Sequence, residues 1–491
     1  MRNALNKRLN RERTGLTKKL PVRVVQFGEG NFLRAFVNYI IDKLNKEAGF
    51  NAGVAVIQPL PRGLVNVLNQ QDGLYNLFMK GIRNGREIEE KEIISCIQQG
   101  IDPYKYYDKY LKLAEEESLE FIISNTTEAG IAFDENDTLQ STPPNSFPAK
   151  LTALLYRRFQ HFGGAPEKGL TILPCELINN NADTLKKIIL KYADLWDLEE
   201  GFINWVKNHN SFHNTLVDRI VPGYPAENIE IYQKELPFED KLIVVAEIFL
   251  LWVIEGDEEL KAKVPFDQID ENILIVKDLQ PYRTRKVRIL NGAHTTMVPF
   301  SLMYGNKTVK ETLDDQFTGS FVKDAIFDEI IPTLSLPEEE LNLFAEEVLD
   351  RFKNPFLEHK LASIALNSVS KFKVRVLPSL LAYQQEKEKL PVKLTFAWAC
   401  LLRFYGSLWN GRRLPVKDDE KVVSALKDIW RASDYNQVSI KALSNTEFWD
   451  RDLSKINGLV EAVSLALVFI DKYGIEEGFE EFRGQMRNFK Y

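Results

Sequence analysis

Residues 22–35 read VRVVQFGEGNFLRA, a β-branched run, a Gly-Glu-Gly turn and then apolar residues at helical spacing that continue to Leu44. This order decides the fold, because a strand delivered through glycines into a helix is the context in which a Gly-x-Gly pair has a physical meaning. The helix start offers unpaired N–H groups and the positive end of its dipole to a diphosphate. A lone Gly-x-Gly is also compatible with a plain tight turn. The residues that would touch a dinucleotide here are Phe27, Gly28, Gly30, Asn31 and Phe32. The third glycine of the dinucleotide fingerprint is replaced by Leu33, so close packing of helix on strand must be reached by another route.

Outward from this stretch, short apolar runs at 54–57, 92–97, 119–124 and 169–174 read as further strands, with helical spacing at 185–192. Strands alternating with helices over about the first 220 residues predict an α/β fold, a Rossmann-like doubly wound parallel sheet. An acidic residue at the tip of the second strand usually takes the ribose 2′-OH of NAD, but this chain has Gln58. Gln58 can still hydrogen-bond a ribose, so NAD is expected ahead of NADP, although Arg62 would suit a 2′-phosphate. After 119–124 come Asn125, Thr126 and Glu128, polar residues at the carboxyl end of a strand, where open α/β sheets bind ligands. A strand is expected at 272–276, and from about residue 314 the pattern is helical, at 341–352, 359–376, 394–405, 420–432 and 458–473. The expected organisation is a dinucleotide-binding domain at 1–280 and a mainly helical substrate and catalytic domain at 281–491.

With 491 residues, 44% of them hydrophobic, and a net charge of −7 without a long basic block, nucleic acid is not an expected partner. The basic cluster at 2–19 reads as a solvated lead-in, without the apolar run of a secretory signal. The most apolar stretch, 242–254, contains Glu247 and is too short to span a bilayer. A soluble cytoplasmic protein is expected, with no membrane partner. Cys96, Cys175 and Cys400 are too scattered for a disulfide framework, and five histidines without ligand spacing give no zinc site, so no metal is expected.

Residues 285–297, RKVRILNGAHTTM, carry the chemistry. Lys286, Asn291 and His294 put an amine, an amide and an imidazole within nine residues. On an α-helix at about 100° per residue they fall at roughly 0°, 140° and 80°, close enough to address one substrate. An ordinary amphipathic helix with a surface lysine would read the same way.

GEGNFLRA at 28–35, SNTTEAG at 124–130, PCELI at 174–178, LVDRIVPGYP at 216–225 and KVRILNGAHT at 286–295 together resemble the polyol-specific long-chain dehydrogenase family, typified by mannitol dehydrogenase. The forms of PCELI, SNTTEAG and KVRILNGAH are most similar to members acting on sugar acids of the uronate class. The resemblance implies NAD as cofactor, a small sugar-acid substrate and metal-free transfer of a hydride to a carbonyl. It places the catalytic lysine on Lys286, carbonyl-contacting amides on Asn291 and Asn181, a histidine on His294 and an acid on Asp218. Ala182 stands where a glycine is expected. The chemistry agrees: developing charge on a ketone oxygen needs fixed donors and a proton source. Arg285 and Arg288 flank the lysine and would tune it if turned inward. A substrate carboxylate would need a cation, and His359, Lys371 and Arg375 are the candidates. A non-catalytic sugar or nucleotide sensor is the reading from another class, and keeping the proton donor argues against it.

Overall fold

The computed structural model describes residues 8–127, 129–356, 358–487 and 489. They form two compact units, one running through Lys80 and over Glu87–Leu279, the other Gly81–Arg86 and everything from Gln280 onward.

The first unit is built on six strands: β1 (Val22–Phe27), β2 (Gly53–Ile57), β3 (Ile97–Ile101), β4 (Phe121–Ser124), β5 (Thr171–Pro174) and β6 (Ser211–Phe212). All pairings are parallel, and the spatial order is β3-β2-β1-β4-β5-β6. This 3-2-1-4-5-6 order reverses direction between β1 and β4, which opens a crevice beyond the carboxyl ends of those two strands. Side chains alternate across the sheet. Val24, Val54, Val56, Phe121 and Ile123 enter the core beneath helix Val37–Glu47. Val25, Phe27, Ala55, Ile57 and Ile122 enter the core on the other face, with Leu151, Leu154 and Leu155 of helix Phe147–Phe162. Burial on both faces is why these strands read as continuous apolar runs.

Three sequence expectations need correction here. The run at 92–97 is not one strand. Asp42 takes the Ser95 N–H at 2.7 Å and its hydroxyl at 2.9 Å, and this pulls the chain out of line. Arg86–Ile94 therefore lies in a separate three-stranded sheet with Tyr75–Arg83 and Val244–Glu247, and β3 starts only after Cys96. The helix after the glycine turn is two helices, Asn31–Ala35 and Val37–Glu47, broken at Phe36 (φ −120, ψ −82), whose ring is wedged between Phe32 and Trp252. Within the described part of the basic lead-in, residues 8–19, the chain is docked at Leu9, which is buried, and at Arg11, whose guanidinium donates to the carbonyls of Ser95 (2.6 Å) and Ile97 (2.7 Å), while Lys18 and Lys19 are exposed. A third sheet, Thr215–Asp218, Leu251–Glu255 and Ile273–Val276, completes the unit's strands.

The second unit is mainly helical. Gly292–Tyr304 and Val392–Tyr405 pack together at its centre, and Leu459–Tyr473 packs on the latter. The stretch at 359–376 is not one helix but two, Leu361–Ile364 and Ser368–Arg375. Between them Asn367 adopts φ 54 and gives its N–H to Lys417. Among the described residues no helix is long and apolar enough to cross a membrane.

Candidate active site

A cleft of about 430 Å³ opens beyond β1, β2 and β4, lined by Gly28–Gly30, Pro59 and Leu60, Asn125–Thr127, and Asn145–Phe147 at the start of a helix. Gly28 sits at φ 118, and a Cβ there would stand 2.9 Å from the Asn125 carbonyl and 3.2 Å from Leu33. The tight strand-to-helix approach is thus made at Gly28, which answers how the fingerprint tolerates Leu33. No atom lies within 4 Å of where a Cβ on Gly30 would be, so the turn leaves bare backbone facing open space. Asn31 is turned inward, its Oδ1 accepting from Arg34 at 2.7 Å. Phe27 is a core residue with its ring against Phe147, and Phe32 stacks on Phe36. Gln58 is buried; its amide donates to the Leu60 carbonyl at 2.9 Å. Glu128, expected to contact the cofactor, lies outside the described residues.

One wall of the cleft hangs on a residue the sequence reading passed over, Glu176. Buried at the end of β5, it accepts from the Thr126 N–H and hydroxyl through Oε1, each at 3.0 Å, and from the Ser124 hydroxyl through Oε2 at 3.0 Å. Burial raises its carboxyl above the usual range, and those donors pull it back down. Its sequence signal is the acid within PCELI, just past an apolar strand.

Asn181 is fully buried and its amide is committed to the fold. Nδ2 donates to the carbonyls of Pro174 (2.9 Å) and Glu176 (3.1 Å), and Oδ1 accepts from the Thr215 N–H at 3.0 Å. The expectation of an amide presented to a substrate carbonyl is not met in this arrangement, because both of its protons already have acceptors. Asn180 occupies the capping position at φ 51 without a side-chain cap bond, and Asn181 is already helical. Ala182 is therefore inside the helix, where no glycine is needed. Asp218 ends strand Thr215–Asp218, opposite Leu251.

In the second unit the segment of chemical interest is not a regular α-helix. Gln280–Arg285 is α-helical, Lys286–Asn291 widens into a π-helical turn, and Gly292–Tyr304 resumes the α-helix. The angular positions expected for Lys286, Asn291 and His294 on a uniform helix therefore do not hold. Such insertions are frequent at functional sites. Arg285 is buried and pairs with Glu340 (2.7 Å) with its guanidinium over Phe344, and Arg288 donates to Ser379 at 2.9 Å.

Arg375 reaches the same segment from a different helix. Its Nη1 lies 3.5 Å from Thr295 Oγ1, and that hydroxyl donates to the Asn291 carbonyl at 2.9 Å. The approach depends on Gly292, where a Cβ would stand 3.1 Å from the Arg375 carbonyl. Among the described residues this is the only hydrogen bond of the half-buried guanidinium, so most of its donors remain open to a carboxylate. Lys371, one turn earlier, places its ammonium on the Ile364 carbonyl at 2.9 Å. His359 stands edge-on to His294, ring centres 5.0 Å apart, and Phe352 covers His294 at 4.3 Å. Burial and the Arg351 cation push His359 below the usual histidine range.

Comparison with known proteins agrees in both units. Residues 22–268 match the mannitol dehydrogenase Rossmann domain and residues 278–470 the mannitol dehydrogenase C-terminal domain. The chain is 45% identical over 464 residues to an altronate oxidoreductase of Bacillus subtilis (strain 168), covering 94% of this chain and 95% of that one. It is 44% identical to an altronate oxidoreductase of Yersinia enterocolitica serotype O:8 / biotype 1B, covering 93% and 95%. Among solved structures, a substrate-free D-sorbitol dehydrogenase shares the fold with a TM-score of 0.78 at 20% identity, covering 94% and 95%. A Pseudomonas fluorescens mannitol 2-dehydrogenase in ternary complex with NAD and D-mannitol does so with a TM-score of 0.65 at 19% identity, covering 97% and 100%.

Proposed function

Because the chain belongs to the mannitol dehydrogenase family, matching its Rossmann and C-terminal domains in turn, we propose that it is an NAD-dependent oxidoreductase that interconverts D-tagaturonate and D-altronate. The altronate oxidoreductases it resembles at 44–45% identity over nearly the full chain support the substrate. The first unit would hold the dinucleotide, and bare backbone at Gly30 beside the Gly28 turn fits a diphosphate. When bound, reduced nicotinamide supplies the hydride that reaches the carbonyl carbon. The second unit would hold the sugar acid. Lys286 gives a proton to the carbonyl oxygen during reduction and takes it back from the alcohol during oxidation. Asn291 donates to that oxygen as charge develops. His294, fixed by Phe352 and His359, orients a neighbouring hydroxyl.

The observation that carries the sugar-acid reading is Arg375, a half-buried guanidinium held beside Thr295, one residue past His294. A neutral polyol has no use for that charge, whereas a uronate carboxylate fits its paired donors. The test follows oxidation of NADH by its absorbance with tagaturonate, fructuronate and fructose in parallel. Arg375→Leu should raise KM for the sugar acid by at least tenfold and leave any reaction with fructose unchanged. Equal effects on both would remove Arg375 from carboxylate recognition, and wild-type turnover of fructuronate or fructose alone would keep the family and replace the substrate. Lys286→Ala should lose several powers of ten in turnover while still binding NADH; a near wild-type rate would take the lysine out of the mechanism.

A further inference from the structure

The tip of β2 lacks the acid that holds an adenosine ribose in most dinucleotide-binding sheets. Gln58 stands there with its N–H on the Ile101 carbonyl and its amide on Leu60. The structure brings an acid to this place from another strand. Glu29, the central residue of the Gly-Glu-Gly turn after β1, directs its carboxylate across to the segment following β2, where Oε1 accepts the Leu64 N–H at 3.3 Å. A Cβ on Gly63 would lie 2.0 Å from Glu29 Oε1 and 2.6 Å from Gln58 Oε1. Gly63 has no positive φ to explain it; its bare α-carbon is the place where the two side-chain oxygens converge. Glu29 and the neighbouring Pro59 and Leu60 all line the cleft, and Glu29 is only half-buried, so its carboxylate stays within reach of a ligand.

We propose that Glu29 is the specificity-determining residue for the dinucleotide, its carboxylate accepting from the ribose hydroxyls of NAD and excluding the 2′-phosphate of NADP. The inference rests on the dinucleotide reading of the cleft. A carboxylate satisfies a diol with two acceptor oxygens. It meets a phosphate as a like charge, and in a half-buried wall water does little to screen that repulsion. Exposed Arg62, four residues beyond Gln58, is the cation available to a 2′-phosphate once the repulsion is gone.

The test needs no sugar substrate. NADH and NADPH are titrated separately into the wild type, Glu29→Gln, Glu29→Asp and the double variant Glu29→Gln/Arg62→Ala, following fluorescence of the reduced nicotinamide. The wild type should favour NADH at least a hundredfold. Glu29→Gln should cut that preference at least tenfold, chiefly by tightening NADPH, and removal of Arg62 in that background should reverse the gain. Glu29→Asp should keep the preference for NADH, which separates loss of charge from loss of fold. An unchanged NADH-to-NADPH ratio in Glu29→Gln would overturn the assignment, as would a wild type that binds both equally or prefers NADPH. A wild type that binds neither would instead overturn the dinucleotide reading beneath it.

Discussion

Truncating Glu176 should loosen the cleft and weaken cofactor binding together. Glu176→Ala removes three hydrogen bonds, from the Thr126 N–H, the Thr126 hydroxyl and the Ser124 hydroxyl, each 3.0 Å long. Bonds to a charged acceptor are worth roughly 1.5–3 kcal/mol apiece. Burial, which raises this carboxyl, consumes part of that gain, so the low end applies and the loss comes to about 4 kcal/mol. Glu176→Gln keeps an oxygen for both Thr126 donors and turns an N–H toward Ser124, whose hydroxyl can rotate to accept it; its cost should be about 1 kcal/mol. Because the carboxyl is raised in the folded state, its ionisation opposes folding as pH climbs from the unfolded value, about 4.3, through the folded one. The amide carries no such cost, so Glu176→Gln should gain stability relative to the wild type as pH rises above about 4.3. Urea unfolding of the three proteins at several pH values, beside NADH titration, checks all of this. NADH should bind Glu176→Ala at least tenfold more weakly, since Asn125–Thr127 lines the cleft. An alanine variant with the wild-type urea midpoint and NADH affinity, or a glutamine variant as damaged as the alanine, would refute the argument.

Asn181→Ala should cost about 3 kcal/mol, because it strands the Thr215 N–H and two buried carbonyls, those of Pro174 and Glu176. A wild-type melting temperature with lost turnover would instead return Asn181 to the substrate. Lys150 is buried, with Nζ on the Asn145 carbonyl and on the Tyr104 hydroxyl, and burial pushes it down to about 8. At this position the unfolded chain then binds more protons between pH 8 and about 10.4, so across that window the wild type should gain about 3 kcal/mol of stability relative to Lys150→Met, as denaturant unfolding of both proteins at both ends would register.

What the sequence disclosed and what it withheld divide along physical lines. The sheet was legible because its strands are buried on both faces and stand out as apolar runs, β1, β2, β4 and β5 within a few residues of their true limits. The break at Ser95 was not, because it depends on Asp42, 53 positions away in sequence. The residues of 285–297 were recognisable by type and spacing, yet their arrangement was not, since nothing in the local periodicity announces that Lys286–Asn291 widens into a π turn. Asn181 shows the same limit from the other side: its place after PCELI was plain, and only the positions of Pro174 and Thr215 reveal that its amide is already committed. Glu29 and Glu176 escaped notice for a common reason. Each acts at a segment distant in sequence, the first beside Gly63 on a backbone N–H that every non-proline residue carries, the second under Thr126 on one such N–H and on the hydroxyls of Thr126 and Ser124. The acidic function expected at the tip of β2 is therefore absent in sequence and present in space, and the step from Gln58 to Glu29 can be made only once β1 and β2 lie side by side.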